Sequence, residues 1–283
     1  MLNSIYWAID PVIFSVGPFD VRWYGVAYVL GFICFGIVAL KTAKRWRITF
    51  TFDALLEVLV CVMIGVIVGA RLGFVVFYGE GYYWIHPGDI FAFSQGGMSF
   101  HGGLIGGVLG LIISSRLIKM PFLSLGDLAA IGAPIGLFFG RCANFINGEL
   151  WGAPTDLPWG VMFGGEAGMI MRHPSQLYEA LLEGVVIFIV LLVLSRKRPP
   201  YPRGTFAGIF LILYAVFRCL VEFVRVPDIQ LGYLYGDWLT MGMVLSLPVF
   251  IAGICFLVYA RRTKHPQEGQ RLPDEAAPRT DAE

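Results

Sequence analysis

Gly140-Arg141-Cys142-Ala143-Asn144-Phe145-Ile146-Asn147-Gly148-Glu149 closes an apolar run that begins near residue 125. The run reads as a membrane span, yet its end carries an arginine, two asparagines and a glutamate. An ion within a bilayer costs roughly 2.5–3.5 kcal/mol on insertion scales, so an intramembrane charge marks a functional candidate by default. Arg141 has company. Arg71, His101, Glu179, Glu183, Arg218, Glu222 and Arg225 also lie in or at the edges of apolar segments.

Working outward from 125–142, further apolar segments fall at 24–40, 54–78, 102–118, 176–194, 205–224 and 238–260. Several reach the ~17–25 residues that a spanning helix needs. Of 283 residues, 57% are hydrophobic and 14% charged, against about 25% charged in an ordinary soluble domain. The expected fold class is an all-α polytopic membrane protein with seven transmembrane helices. A soluble fold of this composition would have almost no polar surface. Lys41, Lys44, Arg45 and Arg47 follow the first span, and Arg116 and Lys119 the third. Arg196, Lys197, Arg198 and Arg203 follow the fifth, and Arg261, Arg262 and Lys264 the seventh. The intervening connections hold no lysine and carry Glu80, Asp89, Asp156, Glu166 and Asp228. The positive-inside rule then places the N-terminus outside and the C-terminus in the cytoplasm. The net charge of +1 matters less than this sidedness, and it points to no nucleic-acid partner.

Residues 1–262 read as a single transmembrane catalytic domain, with 143–174 as a small outer cap and 263–283 as a disordered cytoplasmic tail. The first 23 residues lack the basic region and cleavage site of a secretory signal and read as a retained interfacial segment. Tyr82, Tyr83 and Trp84, followed by Phe91 and Phe93, resemble an aromatic belt. The five cysteines show neither a disulfide framework nor metal-ligand spacing. Cys142 beside Arg141 reads as a small buried hydrophobe before it reads as a nucleophile.

Three glycine series repeat every fourth residue: Gly65, Gly69 and Gly73; Gly102, Gly106 and Gly110; Gly132, Gly136 and Gly140. Each strips one helix face of side chains and lets neighbouring backbones approach. Arg71, His101 and Arg141 stand beside these stripes, which turns them toward the bundle interior. With the topology above, Arg71, Arg141, Arg218, Glu222 and Arg225 lie in the outer halves of their spans. Tyr24, His101, Glu179 and Glu183 lie near outer starts. Asp53, Glu57 and Asp127 sit at cytoplasmic ends instead. The expectation is one polar chamber open to the outer leaflet. Tyr214, Arg218 and Glu222 share a helix face by their spacing of four. Two readings stay open: a self-satisfied ion network, with Glu179, Glu183 and Glu222 neutralising the arginines, or paired guanidinium forks that grip the phosphate of a phospholipid. His101, among glycines, is able to hold or give a proton near neutral pH. It reads equally as a structural histidine.

These residues also resemble a known family. His101-Gly-Gly-Leu-Ile-Gly106, Gly140 to Glu149 and Arg172-His-Pro-Ser-Gln-Leu-Tyr-Glu179 resemble the signatures of prolipoprotein diacylglyceryl transferases. So do Asp10-Pro-Val-Ile-Phe, Arg22-Trp-Tyr-Gly25 and Tyr214-Ala-Val-Phe-Arg218 with Glu222-Phe-Val-Arg225. The likeness runs from about residue 10 to residue 260. Ala143, where a glycine is common, and Gly164-Gly165, where a proline is expected after Phe163, are mild departures. The resemblance implies an enzyme of the bacterial cytoplasmic (inner) membrane, with a periplasmic head and a site facing the outer leaflet. It implies transfer of the diacylglyceryl group of phosphatidylglycerol to the lipobox cysteine in a prolipoprotein signal peptide. A thioether forms and glycerol phosphate leaves.

The same resemblance implies catalytic roles for His101, Arg141, Arg218, Tyr24 and Tyr214. It implies lipid binding by Arg141, Asn144, Glu149, Gly152, Arg218 and Glu222, with no metal and no cofactor. His101 is then either the base for the thiol or an orienting group for the headgroup. Asn144, Asn147 and Tyr214 are expected on the glycerol hydroxyls, and Glu149 is expected to fix Arg141. Rival readings are weaker. A transporter needs charges on both sides of the midplane or inverted repeats. An intramembrane serine protease needs a glycine after Ser99, where Phe100 stands. A scaffold has no use for so many costly ions.

Overall fold

The computed structural model describes residues 2–17, 19–79, 81–92, 96–227 and 232–272, and for Phe100 and His101 the backbone alone. Glu80, Phe93, Asp228 and residues 273–283 lie outside the described residues, as does the His101 side chain. In chain order the elements are α1 (Leu2–Trp7), β1 (Val12–Val16), β2 (Phe19–Arg22), α2 (Trp23–Trp46), α3 (Phe52–Tyr78), α4 (Tyr82–Ile85), α5 (Phe100–Leu117) and α6 (Phe122–Asn147). They continue with β3 (Val161–Met162), β4 (Met171–Arg172), α7 (Ser175–Glu179), α8 (Ile187–Leu194), α9 (Thr205–Glu222), β5 (Tyr233–Tyr235), β6 (Leu239–Thr240) and α10 (Met241–Thr263). A π-helical segment, Ala180–Val186, joins α7 to α8. Among the described residues the strands form three antiparallel hairpins.

Among the described residues, six helices are long and apolar enough to cross a membrane: α2, α3, α6, the continuous run Ser175–Leu194, α9 and α10. The expected third span is shorter. The apolar part of α5 is Gly102–Leu117, which at 1.5 Å per residue reaches roughly 24 Å against a ~30 Å hydrocarbon core. The chain is a helical, multi-pass membrane protein. Helix α2 outruns its apolar window because Lys41, Lys44 and Arg45 are good helix formers that carry it to Trp46.

The chain divides into two compact units, Met1–Thr42 with Asp127–Pro266 and Ala43–Gly126 with Gln267–Glu283. In the second, α3 and α5 meet along two glycine stripes. A Cβ on Gly106 would lie 2.7 Å from the Gly65 carbonyl carbon and 3.0 Å from Gly69 Cα; one on Gly102 would lie 2.9 Å from Gly73 Cα. These neighbours are backbone, which cannot swing aside. Gly106→Val is therefore expected to destabilise this unit by at least the ~1–3 kcal/mol of ordinary overpacking, read as a lowered melting temperature in detergent. The third stripe behaves differently. A Cβ on Gly132 would lie 2.5 Å from the Phe35 ring, but none would meet an atom within 4 Å at Gly136 or Gly140. Spacing alone does not say what stands opposite a glycine.

The tail expected from residue 263 onward needs correction at its start. Gln270 N–H donates to Thr49 O at 2.8 Å, and Gln270 Oε1 accepts from Thr51 N at 2.9 Å. Glu268 N donates to Ser124 Oγ at 3.1 Å and Arg271 N to Lys119 O at 3.3 Å. Residues 268–271 thus strap the loop before α3 to the α5–α6 corner. Ending the chain after Pro266 is expected to lower stability by roughly 1–3 kcal/mol, the net of four bonds worth about 0.5–1.5 kcal/mol each less the entropy of ordering. An unchanged melting temperature would show the strap to be passive.

In the first unit, Asp127, fully buried, takes the orphan donors at the start of α9: Gly204 N and Ala207 N, both at 2.8 Å. The connection between α6 and α7 has its own small core of Phe145, Val161, Phe163 and Ala167, with Leu2 and Tyr6 of α1 packed on it. Asn3 Oδ1 accepts from Met162 N at 2.9 Å. The N-terminal segment is therefore partly a lid on this connection.

Candidate active site

Helix α6 does not stop at Arg141. It runs through Asn147 and ends at Gly148, whose φ of +70° suits a helix stop. The opening motif is thus the last two turns of a helix, which presents Arg141 to the rod formed by α7 and the π segment. There Arg141 Nε stands 2.8 Å from Glu179 Oε2, with its N–H not aimed at that oxygen, and Nη2 stands 3.6 Å from Glu183 Oε2. Arg218 of α9 bonds the other Glu179 oxygen through Nη1 and Glu222 Oε1 through Nη2. Arg225 Nη1 completes the chain at 3.2 Å from Glu222 Oε1. Glu222 also accepts from Thr240 Oγ1 at 2.5 Å.

Glu179 and Glu183 side chains are 0% exposed, whereas Arg141 and Arg218 keep 18% and 12% of theirs accessible. Among the described residues the cluster holds three arginines and three glutamates, which balance in formal charge. Tyr214 lies within the field of Glu179, Glu183, Arg141 and Arg218. The two open readings are therefore compatible: the arginines are neutralised by carboxylates, and part of each arginine side chain remains accessible. π segments within helices are frequent at functional sites, and this one carries Glu183.

A second polar group sits one turn along α6. Glu149, exposed, accepts from Asn144 Nδ2 and Asn147 Nδ2, each at 3.1 Å. Glu149 was expected to fix Arg141; it holds the two asparagines instead, because the turn at Gly148 sends it back along its own helix. Tyr24 and Tyr28 share a hydroxyl contact at 3.3 Å, and Tyr28 lies in the field of Glu149. Gly152 is wedged between neighbouring backbones: its N–H donates to His173 O at 2.9 Å, and a Cβ would come within 2.7 Å of His173 Cβ. That close approach is a structural reason for glycine at this position.

Arg71 and His101 belong to the other unit. Arg71, 3% exposed, does not join a carboxylate among the described residues. Its guanidinium donates to the backbone carbonyls of Asp89 (2.6 Å), Ile90 (2.8 Å), Gly96 (2.6 Å) and Gly97 (3.1 Å). It staples the connection leading to α5. Residues the sequence reading passed over also matter. Thr240 caps α10, taking Met243 N at 3.3 Å while holding Glu222, and its place before an apolar run was a usable capping signal. Fully buried Gln176 donates to Glu149 O at 2.5 Å. His173 pairs with the Tyr178 hydroxyl at 3.2 Å, and burial lowers its pKa below 6.5.

An apolar cavity of about 370 Å³ runs beside α2, α6 and the π segment, lined by Cys34, Ile37, Phe138, Phe139, Gly184 and Phe188 among others. Phe138 lies one turn from Arg141, and Gly184 follows Glu183.

The prolipoprotein diacylglyceryl transferase family profile matches residues 11–259. A Methylocella silvestris protein named phosphatidylglycerol–prolipoprotein diacylglyceryl transferase is 47% identical over 262 residues, covering 91% of this chain and 96% of that protein. Proteins of the same name from Geobacter sulfurreducens and Methylococcus capsulatus are 46% and 48% identical, covering 90% and 91% of this chain and 97% and 98% of theirs. Because the likeness spans nearly the whole of both partners and takes in every residue of the ion cluster, this chain belongs to the prolipoprotein diacylglyceryl transferase family.

Proposed function

We propose that this protein transfers the diacylglyceryl group of phosphatidylglycerol to a prolipoprotein, at the thiol of its lipobox cysteine, in lipoprotein maturation. The observation that carries this is the sharing of Glu179 by Arg141 and Arg218, whose side chains keep 18% and 12% of their surface accessible. Two forks converging from separate helices suit a phosphate diester. The apolar cavity one turn away takes an acyl chain; an engineered cavity of only about 150 Å³ already holds benzene. The enzyme sits in the bacterial inner membrane with seven spans, α5 included, its N-terminus outside and its C-terminus in the cytoplasm. Residues 143–174 form a periplasmic head, and the site faces the outer leaflet.

In the reaction the thiol loses its proton, sulfur bonds the glyceryl carbon, and the carbon–oxygen bond breaks with its electrons passing to glycerol phosphate. A thiol of pKa near 8.5 is only a few per cent ionised at pH 7. His101 takes the proton as base, or it orients the headgroup while the arginines favour the thiolate. Arg141 and Arg218 hold the phosphate and meet its growing charge. Tyr24, Tyr214 and Asn144 hydrogen-bond the glycerol oxygens, Glu149 fixes Asn144, Glu222 fixes Arg218, and Gly152 keeps the head closely packed.

The test is transfer of labelled diacylglyceryl from phosphatidylglycerol to a lipobox peptide by purified protein. Absence of transfer, with ion or solute flux in vesicles instead, would favour a transporter. His101→Gln is expected to cut transfer strongly at pH 7 and to recover as pH rises and the thiol ionises unaided. A residual rate that ignores pH assigns His101 to orientation.

A further inference from the structure

The ion cluster is electrically closed before any substrate arrives. Arg141, Arg218 and Arg225 face Glu179, Glu183 and Glu222. A phosphate seated on Arg141 and Arg218 adds a negative charge where carboxylates already hold both guanidinium groups. Like charges crowded into a dry site do not all stay ionised. One carboxylate must give way, and the three are not equally committed. Glu179 is held by Arg141 on one oxygen and Arg218 on the other. Glu222 is held by Arg218, Arg225 and Thr240.

Glu183 is held least. Its side chain is fully buried, neither oxygen accepts a hydrogen bond among the described residues, and its ion contact with Arg141 Nη2 is 3.6 Å long. That distance is beyond hydrogen-bond range, and a buried carboxylate so placed is the expensive form of the side chain. The charged and titratable groups facing it are Glu179 on its own rod, Arg141 on α6, and Arg218 and Tyr214 on α9. Its position in the π segment adds a second, independent mark of function.

We propose that Glu183 and the lipid phosphate are alternative anions for Arg141, so that phospholipid binding is coupled to uptake of one proton by Glu183. The carboxylate pairs with Arg141 in the empty site. On binding, a solvent proton adds to Glu183, the carboxyl becomes neutral, and the Arg141 fork turns to the phosphate. The proton is returned when glycerol phosphate leaves and Arg141 needs an anion again. The inference rests on the phosphatidylglycerol reading above. It is independent of which group deprotonates the thiol.

The experiment is calorimetric titration of the full-length, detergent-solubilised protein with short-chain phosphatidylglycerol near neutral pH, in buffers of different ionisation enthalpy. The slope of heat against buffer enthalpy is expected to give about one proton taken up per lipid, with affinity falling by up to about tenfold per pH unit as pH rises. Glu183→Gln carries a permanently neutral isostere. It is expected to bind phosphatidylglycerol severalfold more tightly, with no proton uptake and no pH dependence. Binding to the unaltered protein without proton uptake overturns the proposal whether or not the variant folds. Uptake that persists in Glu183→Gln overturns it too, since another group then takes the proton. A failure of a different kind is binding no better than that of uncharged diacylglycerol, which would remove the phosphatidylglycerol reading itself.

Discussion

Arg141→Lys is expected to lower diacylglyceryl transfer by about 10²–10³-fold, the loss typical of one misplaced donor to a developing anion. Lysine keeps the positive charge, so electrostatic attraction alone predicts a mild effect. Geometry predicts otherwise. Arg141 stands against Glu179 through Nε and Glu183 through Nη2 while keeping part of its side chain accessible. An ammonium group is a point charge on a flexible stem and lacks the planar fork that serves several oxygens from one side chain. The loss should appear in kcat as well as in KM, because the leaving phosphate gains charge in the transition state. Near-normal turnover would remove Arg141 from the site, while loss confined to KM would limit it to ground-state lipid binding.

Glu179→Ala is expected to have the largest effect on stability, about 3–5 kcal/mol, which is the usual consequence of removing one partner from a buried ion pair. Glu179 is 0% exposed and sits between two guanidinium groups carried by α6 and α9. Its removal leaves both cations facing each other inside an apolar bundle. The measurement is thermal or denaturant unfolding in detergent, with Arg218→Met combined in a double-mutant cycle. A strongly non-additive cycle is expected, since the second change relieves the charge that the first exposes. A loss under about 1 kcal/mol would mean that water reaches the cluster and screens it.

These expectations show which parts of the site are readable along the chain. The pairing of Arg218 with Glu222 follows from their spacing of four on one helix, and it is present. The pairing of Arg218 with Glu179, 39 residues apart, has no local signature. Arg71 and Arg141 look alike in sequence, each an arginine beside a glycine stripe in an apolar segment. Arg71 meets a loop that offers four carbonyls, and Arg141 meets a rod that offers two carboxylates. Glu149 misled for a related reason, because the turn at Gly148 folds it back onto Asn144 and Asn147.

The amino-acid sequence by itself determined the membrane class, the positions of the long apolar helices and the glycine stripes, as well as the roster of charged residues. All of these depend on composition and on periods of a few residues, which the backbone geometry of a single helix enforces. Tertiary structure alone decided which guanidinium met a carboxylate and which met a carbonyl, where Glu149 turned, and how the residues after Pro266 were held. Those outcomes depend on what a neighbouring segment presents within about 3 Å, the reach of a hydrogen bond. No period along one helix specifies what the next one brings to that distance.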